Sequence, residues 1–79
     1  MLKPILLVED NKELVSLLMK GLERSGISVD SVGNAADAVH ALATIRYGAI
    51  VLDLGLPDED GLSWLRGVRD RGDSTPVLI

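Results

Sequence analysis

Four short apolar segments, separated by three stretches with helical spacing, set the plan of this chain. Ile5-Leu6-Leu7-Val8 is an unbroken apolar run ending on Glu9-Asp10-Asn11, the pattern of a strand covered on both faces and followed at once by a helix. From Glu13 the apolar positions shift to Leu14, Leu18 and Leu22, with Val15 and Met19 beside them. That single stripe predicts a helix with its leucines in the core. Ser25-Gly26 supplies the helix stop. Ile27 to Val32 alternates with Ser28 and Asp30 and predicts a short edge strand. Gly33-Asn34 opens an alanine-rich helix in which Ala38, Leu42 and Ile45 share a face, and Tyr47-Gly48 ends it. Ala49 to Leu52 is a second doubly buried strand, again closed by an acid, Asp53. Leu54 to Gly61 reads as a loop from its Gly, Pro and Asp content. A third helix places Leu62, Leu65 and Val68 together and frays out through residues 69–73, and Pro76 to Ile79 begins a fourth strand.

Strands alternating with helices call for a parallel sheet with right-handed crossovers. With the two most apolar strands, the first and third, side by side in the middle, the strand order is 2-1-3-4. The carboxyl ends of those strands then meet at the topological switch point, where open α/β sheets bind their ligands. Glu9, Asp10 and Asp53 converge there.

Composition narrows the picture. The 79 residues form one domain at most, and 47% are hydrophobic with Tyr47 and Trp64 as the only aromatics, which suits α/β layers built from aliphatic side chains. The absence of cysteine excludes disulfides and cysteine-ligated metals and is compatible with a reducing cytoplasm. The apolar run at Ile5 to Val8 is too short for a signal-peptide core or a membrane span, so the expectation is a soluble, cytoplasmic segment. A net charge of −4, with the eight basic residues scattered, argues against direct nucleic-acid binding.

Three carboxylates at adjacent strand ends repel one another unless a cation neutralises them. Hard oxygen donors without His or Cys select magnesium, manganese or calcium, and a site with few protein ligands favours magnesium, which keeps positions for water and a phosphoryl oxygen. One carboxylate of such a set can act as a nucleophile and form an acyl phosphate.

Taken together, "ILLVEDN" at residues 5–11, "AIVLDLGLP" at residues 49–57 and "DG" at Asp60-Gly61 resemble the receiver domains of two-component response regulators. The resemblance implies a flavodoxin-like α/β/α sandwich, of which residues 1–79 are the N-terminal part; a fifth strand and two further helices belong to the family but not to this chain. It also implies that Asp53 accepts a phosphoryl group from a sensor histidine kinase. Magnesium would be held by Asp10 and Asp53 directly, by Glu9 through water and by the Gly55 carbonyl, while Pro57 and Gly61 shape the loop beneath. The small Gly55 leaves the phosphoryl group open to access. The hydroxyl residue expected past the fourth strand and the lysine expected at the end of the fifth are absent. Without the family's last helix and strand, the sheet face beside the first helix and the fourth strand's edge should be partly bare, favouring self-association or a homodimer.

Competing readings are weaker. Asp10 or Asn11 also suits a helix N-cap, with Glu13 completing a capping-box-like pattern, and that role is compatible with the metal site. Asp58, Glu59 and Asp60 lack EF-hand spacing and read as acids favouring the positive end of the following helix. His40 has no companion ligand and is expected on a helix surface. Trp64 is expected to pack or lie partly exposed. An aspartyl-phosphate phosphatase or phosphotransferase of haloacid-dehalogenase type would need an acid where Gly55 stands. A receiver-like interaction module without signalling is a third reading, and a nucleotide-binding fold lacks its glycine-rich loop.

Overall fold

The computed structural model describes residues 2–79. Its elements are β1 (Ile5–Val8), α1 (Lys12–Arg24), β2 (Val29–Val32), α2 (Ala35–Thr44), β3 (Ala49–Leu52), α3 (Gly61–Asp70) and β4 (Val77–Leu78). The strands form one parallel sheet in the order β2-β1-β3-β4, as the apolar content of the two central strands predicts. In register, Val8 pairs with Val32 on one side and with Leu52 on the other. The residues that follow, Glu9 and Asp53, therefore leave adjacent strands at the same level, and each amide still holds its neighbour, Glu9 N donating to the Val32 carbonyl at 3.0 Å and Asp53 N to that of Val8 at 3.0 Å.

The main core lies on one face of the sheet. Leu6 and Val8 of β1 and Ile50 and Leu52 of β3 pack against Ala35 and Ala38 of α2 and Trp64 and Val68 of α3. Alanines on α2 let that helix approach closely, and Trp64, only 2% exposed, fills the space under α3. The sequence left Trp64 partly exposed as an option; it is a core residue.

The other face is thinner. Leu7 is buried there, but no residue of α1 is, and Leu14 and Leu18 remain 42% and 37% exposed. These two leucines, with Leu7 and Val51, line an open groove beside Asp53. The expectation that the α1 leucine stripe is core is corrected: the stripe faces the sheet, but only one helix covers that face, and its sides stay wet.

Three boundaries also differ. The second strand starts at Val29 rather than Ile27, because the Ile27 amide donates to the Leu22 carbonyl and closes α1 in a turn through Gly26, whose φ is +82°. Ile45 does not share the apolar face of α2: the helix stops at Thr44, Ile45 is its extended C-cap, and its side chain is 42% exposed. Leu62 is likewise turned outward on α3, which buries Gly61, Trp64 and Val68 instead. His40 is exposed, as expected.

Candidate functional site

At the carboxyl end of the sheet, Glu9, Asp10 and Asp53 each present a carboxylate oxygen, and these oxygens all lie within 4.8 Å of one another. Glu9 and Asp53 are half-buried and Asp10 is exposed. The parallel pairing of β1 with β3 brings Glu9 and Asp53 together, and the start of α1 adds Asp10. Asn11, not Asp10, caps α1, its side chain accepting from the Leu14 amide at 3.0 Å. The division of labour between neighbours leaves Asp10 free for the cluster.

The electrostatics show the strain of bringing like charges together. Glu9 is pushed above its ordinary pKa, first by a side-chain contact with Asp53, then by partial burial and by the Asp53 charge. Asp53 is held below its ordinary value, first by that same contact and then by the Gly55 amide, which donates to Asp53 Oδ1 at 3.2 Å. The two carboxyls are thus shifted in opposite directions, Glu9 up and Asp53 down. Glu9 is further oriented by the Asp10 amide, which donates to its Oε2 at 3.0 Å. An all-oxygen donor set with excess negative charge fits a hard divalent cation such as magnesium.

The loop of residues 53–60 is closed on itself. Gly55 and Asp60 form an isolated antiparallel bridge, and the Gly61 amide donates to the Leu54 carbonyl at 3.0 Å. Leu56 anchors the loop in the core. Gly61 admits no side chain: a Cβ there would stand 2.7 Å from Leu54 Cα and 3.0 Å from the Asp53 carbonyl oxygen. A Cβ on Gly55 would meet only Asp53 Oδ1, at 3.9 Å, so the approach to Asp53 past Gly55 is open, as its small size suggests.

The three acids after Pro57 divide in a way the sequence did not indicate. Asp60 is the N-cap of α3, accepting from Ser63 N and Ser63 Oγ, each at 3.2 Å. Asp58 serves α2 instead: its Oδ1 accepts from Ala35 N at 2.8 Å and its Oδ2 from Ala36 N at 3.1 Å. The expectation that Asp58 supports the helix after it is corrected. Its partners are 22 and 23 residues away along the chain, beyond the reach of local spacing.

Comparison with known proteins agrees with this arrangement. The family pattern of the response regulator receiver domain matches residues 5–79. The chain belongs to that family. It is 44% identical over 75 residues to the transcriptional regulatory protein BasR of Escherichia coli K12, covering 95% of this chain and 34% of BasR. Among solved structures, the receiver domain of the Francisella response regulator 1452 superposes with a TM-score of 0.90 at 28% identity, over 95% of this chain and 62% of that one. The MaeR response regulator bound to beryllium trifluoride gives 0.90 at 28% identity, over 98% and 65%. The chain thus spans about a third of the length of the curated regulators it matches. As a receiver domain it is regulatory, and the dehalogenase-like alternative is not favoured: Gly55 stands where the second acid would be. Among the described residues no helix is long and apolar enough to cross a membrane.

Proposed function

We propose that this receiver domain, in the cytoplasm, accepts a phosphoryl group on Asp53 from a sensor histidine kinase and passes that signal to an output that regulates transcription. The observation that carries the reading is the convergence of Glu9, Asp10 and Asp53 within 4.8 Å at the carboxyl end of the two central strands. Asp10 and Asp53 would hold magnesium, with Glu9 acting through water and the Gly55 carbonyl as a further donor. When bound, the cation offsets charge on the transferring group.

The chain's own residues do the rest. An ionised Asp53 oxygen attacks phosphorus in line, forming an acyl phosphate. The bond from phosphorus to the donor breaks, and its electron pair leaves with the donor, an imidazole nitrogen or the oxygen of a small carboxylate. The Gly55 amide orients the Asp53 oxygen that it touches. Similarity to MaeR, solved with beryllium trifluoride, whose size and charge approximate a phosphoryl group, supports the same chemistry. The net charge of −4 with scattered basic residues disfavours direct nucleic-acid binding by this segment, and association between copies is part of the same proposal.

Incubating the full-length protein with a small acyl-phosphate donor and magnesium gives one hydroxylamine-sensitive adduct, and Asp53→Asn removes it. An adduct that survives this substitution sinks the assignment.

A further inference from the structure

Asp58 stands apart from the other acids of the loop because its hydrogen bonds leave both the loop and the helix that follows. Its carboxylate spans the first two amides of α2, at 2.8 and 3.1 Å. Those amides have no partner within their helix and carry its positive end. The Ala35 amide, ahead of that of Ala36, holds the Asp58 carboxyl below its ordinary value. Yet α2 already has a cap of its own, since Asn34 Oδ1 accepts from the Asp37 amide at 2.8 Å and Asn34 Nδ2 donates to Asp37 Oδ2 at 3.1 Å. Asn34 thus serves the Asp37 amide from within the helix end, and Asp58, in serving those of Ala35 and Ala36, also ties α2 to the loop.

The tether acts at a sensitive place. Asp58 lies inside the tight turn closed by the Gly55 and Asp60 bridge, three residues from the amide that touches Asp53 Oδ1. Leu56, buried in the core, fixes the loop from below, and Asp58 fixes it from the side. We propose that Asp58 is a positioning residue for the metal and phosphoryl site, fastening the loop to α2 so that Gly55 keeps its place against Asp53. The proposal rests on the phosphoacceptor reading above and deepens it, because it assigns the fidelity of that site to a contact with a helix that contributes no ligand.

The test compares four variants of the full-length protein by magnesium titration, rate of adduct formation with an acyl-phosphate donor, and hydrogen exchange of the Gly55 amide. Asp58→Ala should weaken magnesium binding by about tenfold, the low end of what losing an outer support costs a metal site, slow adduct formation and speed Gly55 exchange. Asp58→Asn, which keeps one acceptor, should fall between Asp58→Ala and the parent, and it carries the test if the alanine variant fails to fold. Asn34→Ala strips the same helix end without freeing the loop, and Glu59→Gln removes one charge next door; both should leave magnesium affinity and Gly55 exchange at the parent values. If Asp58→Ala or Asp58→Asn lowers the melting temperature alone, with affinity, rate and exchange unchanged, Asp58 is only a helix cap and the proposal is overturned. Equal loss of affinity in Glu59→Gln would reduce the effect to charge and overturn it as well. A parent protein that binds no magnesium and forms no adduct overturns the phosphoacceptor reading, and the proposal with it.

Discussion

Two groups of acids share the carboxyl end of this sheet, and they are solvated by opposite means. Glu9, Asp10 and Asp53 face one another within 4.8 Å, whereas Asp58 and Asp60 face backbone amides at the starts of α2 and α3. The second group meets positive helix ends and adds to stability. The first group repels itself, an arrangement that a bound cation would relieve. A cluster of acids is thus uninformative as a count. What separates the two groups is whether a carboxylate faces other carboxylates as well as donors, or donors alone.

The sharpest way to break the comparison is to force the two groups apart through the glycine between them. Gly61→Ala inserts a methyl 2.7 Å from Leu54 Cα and 3.0 Å from the Asp53 carbonyl oxygen, both backbone atoms that cannot swing aside. The expected loss is about 2 kcal/mol, typical of overpacking, read as a lower denaturation midpoint. Because the displaced backbone is that of Asp53, magnesium affinity should fall too. A variant with parental stability and affinity would contradict the close approach.

Magnesium should act on the first group only. At ten times its dissociation constant it should stabilise the fold by about 1.4 kcal/mol by mass action, seen as a rise in melting temperature. Asp10→Asn should abolish most of that rise while Asp60→Asn leaves it in place. A parent protein indifferent to millimolar magnesium would count against the site.

The fold and the acid cluster were legible because they follow from short-range pattern. Unbroken apolar runs at residues 5–8 and 49–52 identify the central strands, and an acid immediately after each must land at the same sheet edge once the strands are neighbours. Less legible was everything that depends on how near a partner comes. Helical spacing groups Leu14 with Leu18 but says nothing of how much of that face a single helix can seal, and both remain more than a third exposed. Ile45 and Leu62 match the apolar period, yet one falls past the helix end and the other on its outer side. Trp64 was undecided from sequence because a large aromatic on a short helix fits either side. Asp58 could not be read at all, since an acid beside its own helix gives no sign that it will cap another 22 residues earlier.

Without metal, neutralising one acid from each group should move stability in opposite directions. Asp60→Ala removes an N-cap acceptor and should cost about 1 kcal/mol. Glu9→Gln removes a charge beside Asp53 and should raise the denaturation midpoint slightly, while weakening magnesium binding. A loss of stability in both variants would mean that the bond from the Asp10 amide to Glu9 outweighs the repulsion from Asp53.

The smallest effect is the dependence on pH, where Glu9 differs in sign from the acids that accept from amides, Asp53 among them. Asp58 is held below its ordinary value of 3.8 by the amides of α2, and Asp73 is held below it by the Thr75 hydroxyl and amide, at 2.6 and 2.9 Å. A carboxylate with a depressed folded pKa binds fewer protons than in the unfolded chain, so its contribution is complete above the unfolded value and is lost as pH falls through the folded one. Glu9 is raised above 4.5 and behaves oppositely: its contribution is present below that value and is lost as pH rises through its folded pKa. Metal-free protein should therefore gain stability as pH rises toward about 4.5 and give a little back above it. Saturating magnesium, which favours ionised Glu9, should erase the decline, as should Glu9→Gln. Asp58→Asn should flatten the rise on the acid side and leave the decline intact. Denaturation midpoints between pH 3 and pH 7, with and without magnesium, would resolve the two limbs. A single monotonic curve, identical in both conditions, would show that the acids facing each other and the acids facing amides are energetically alike.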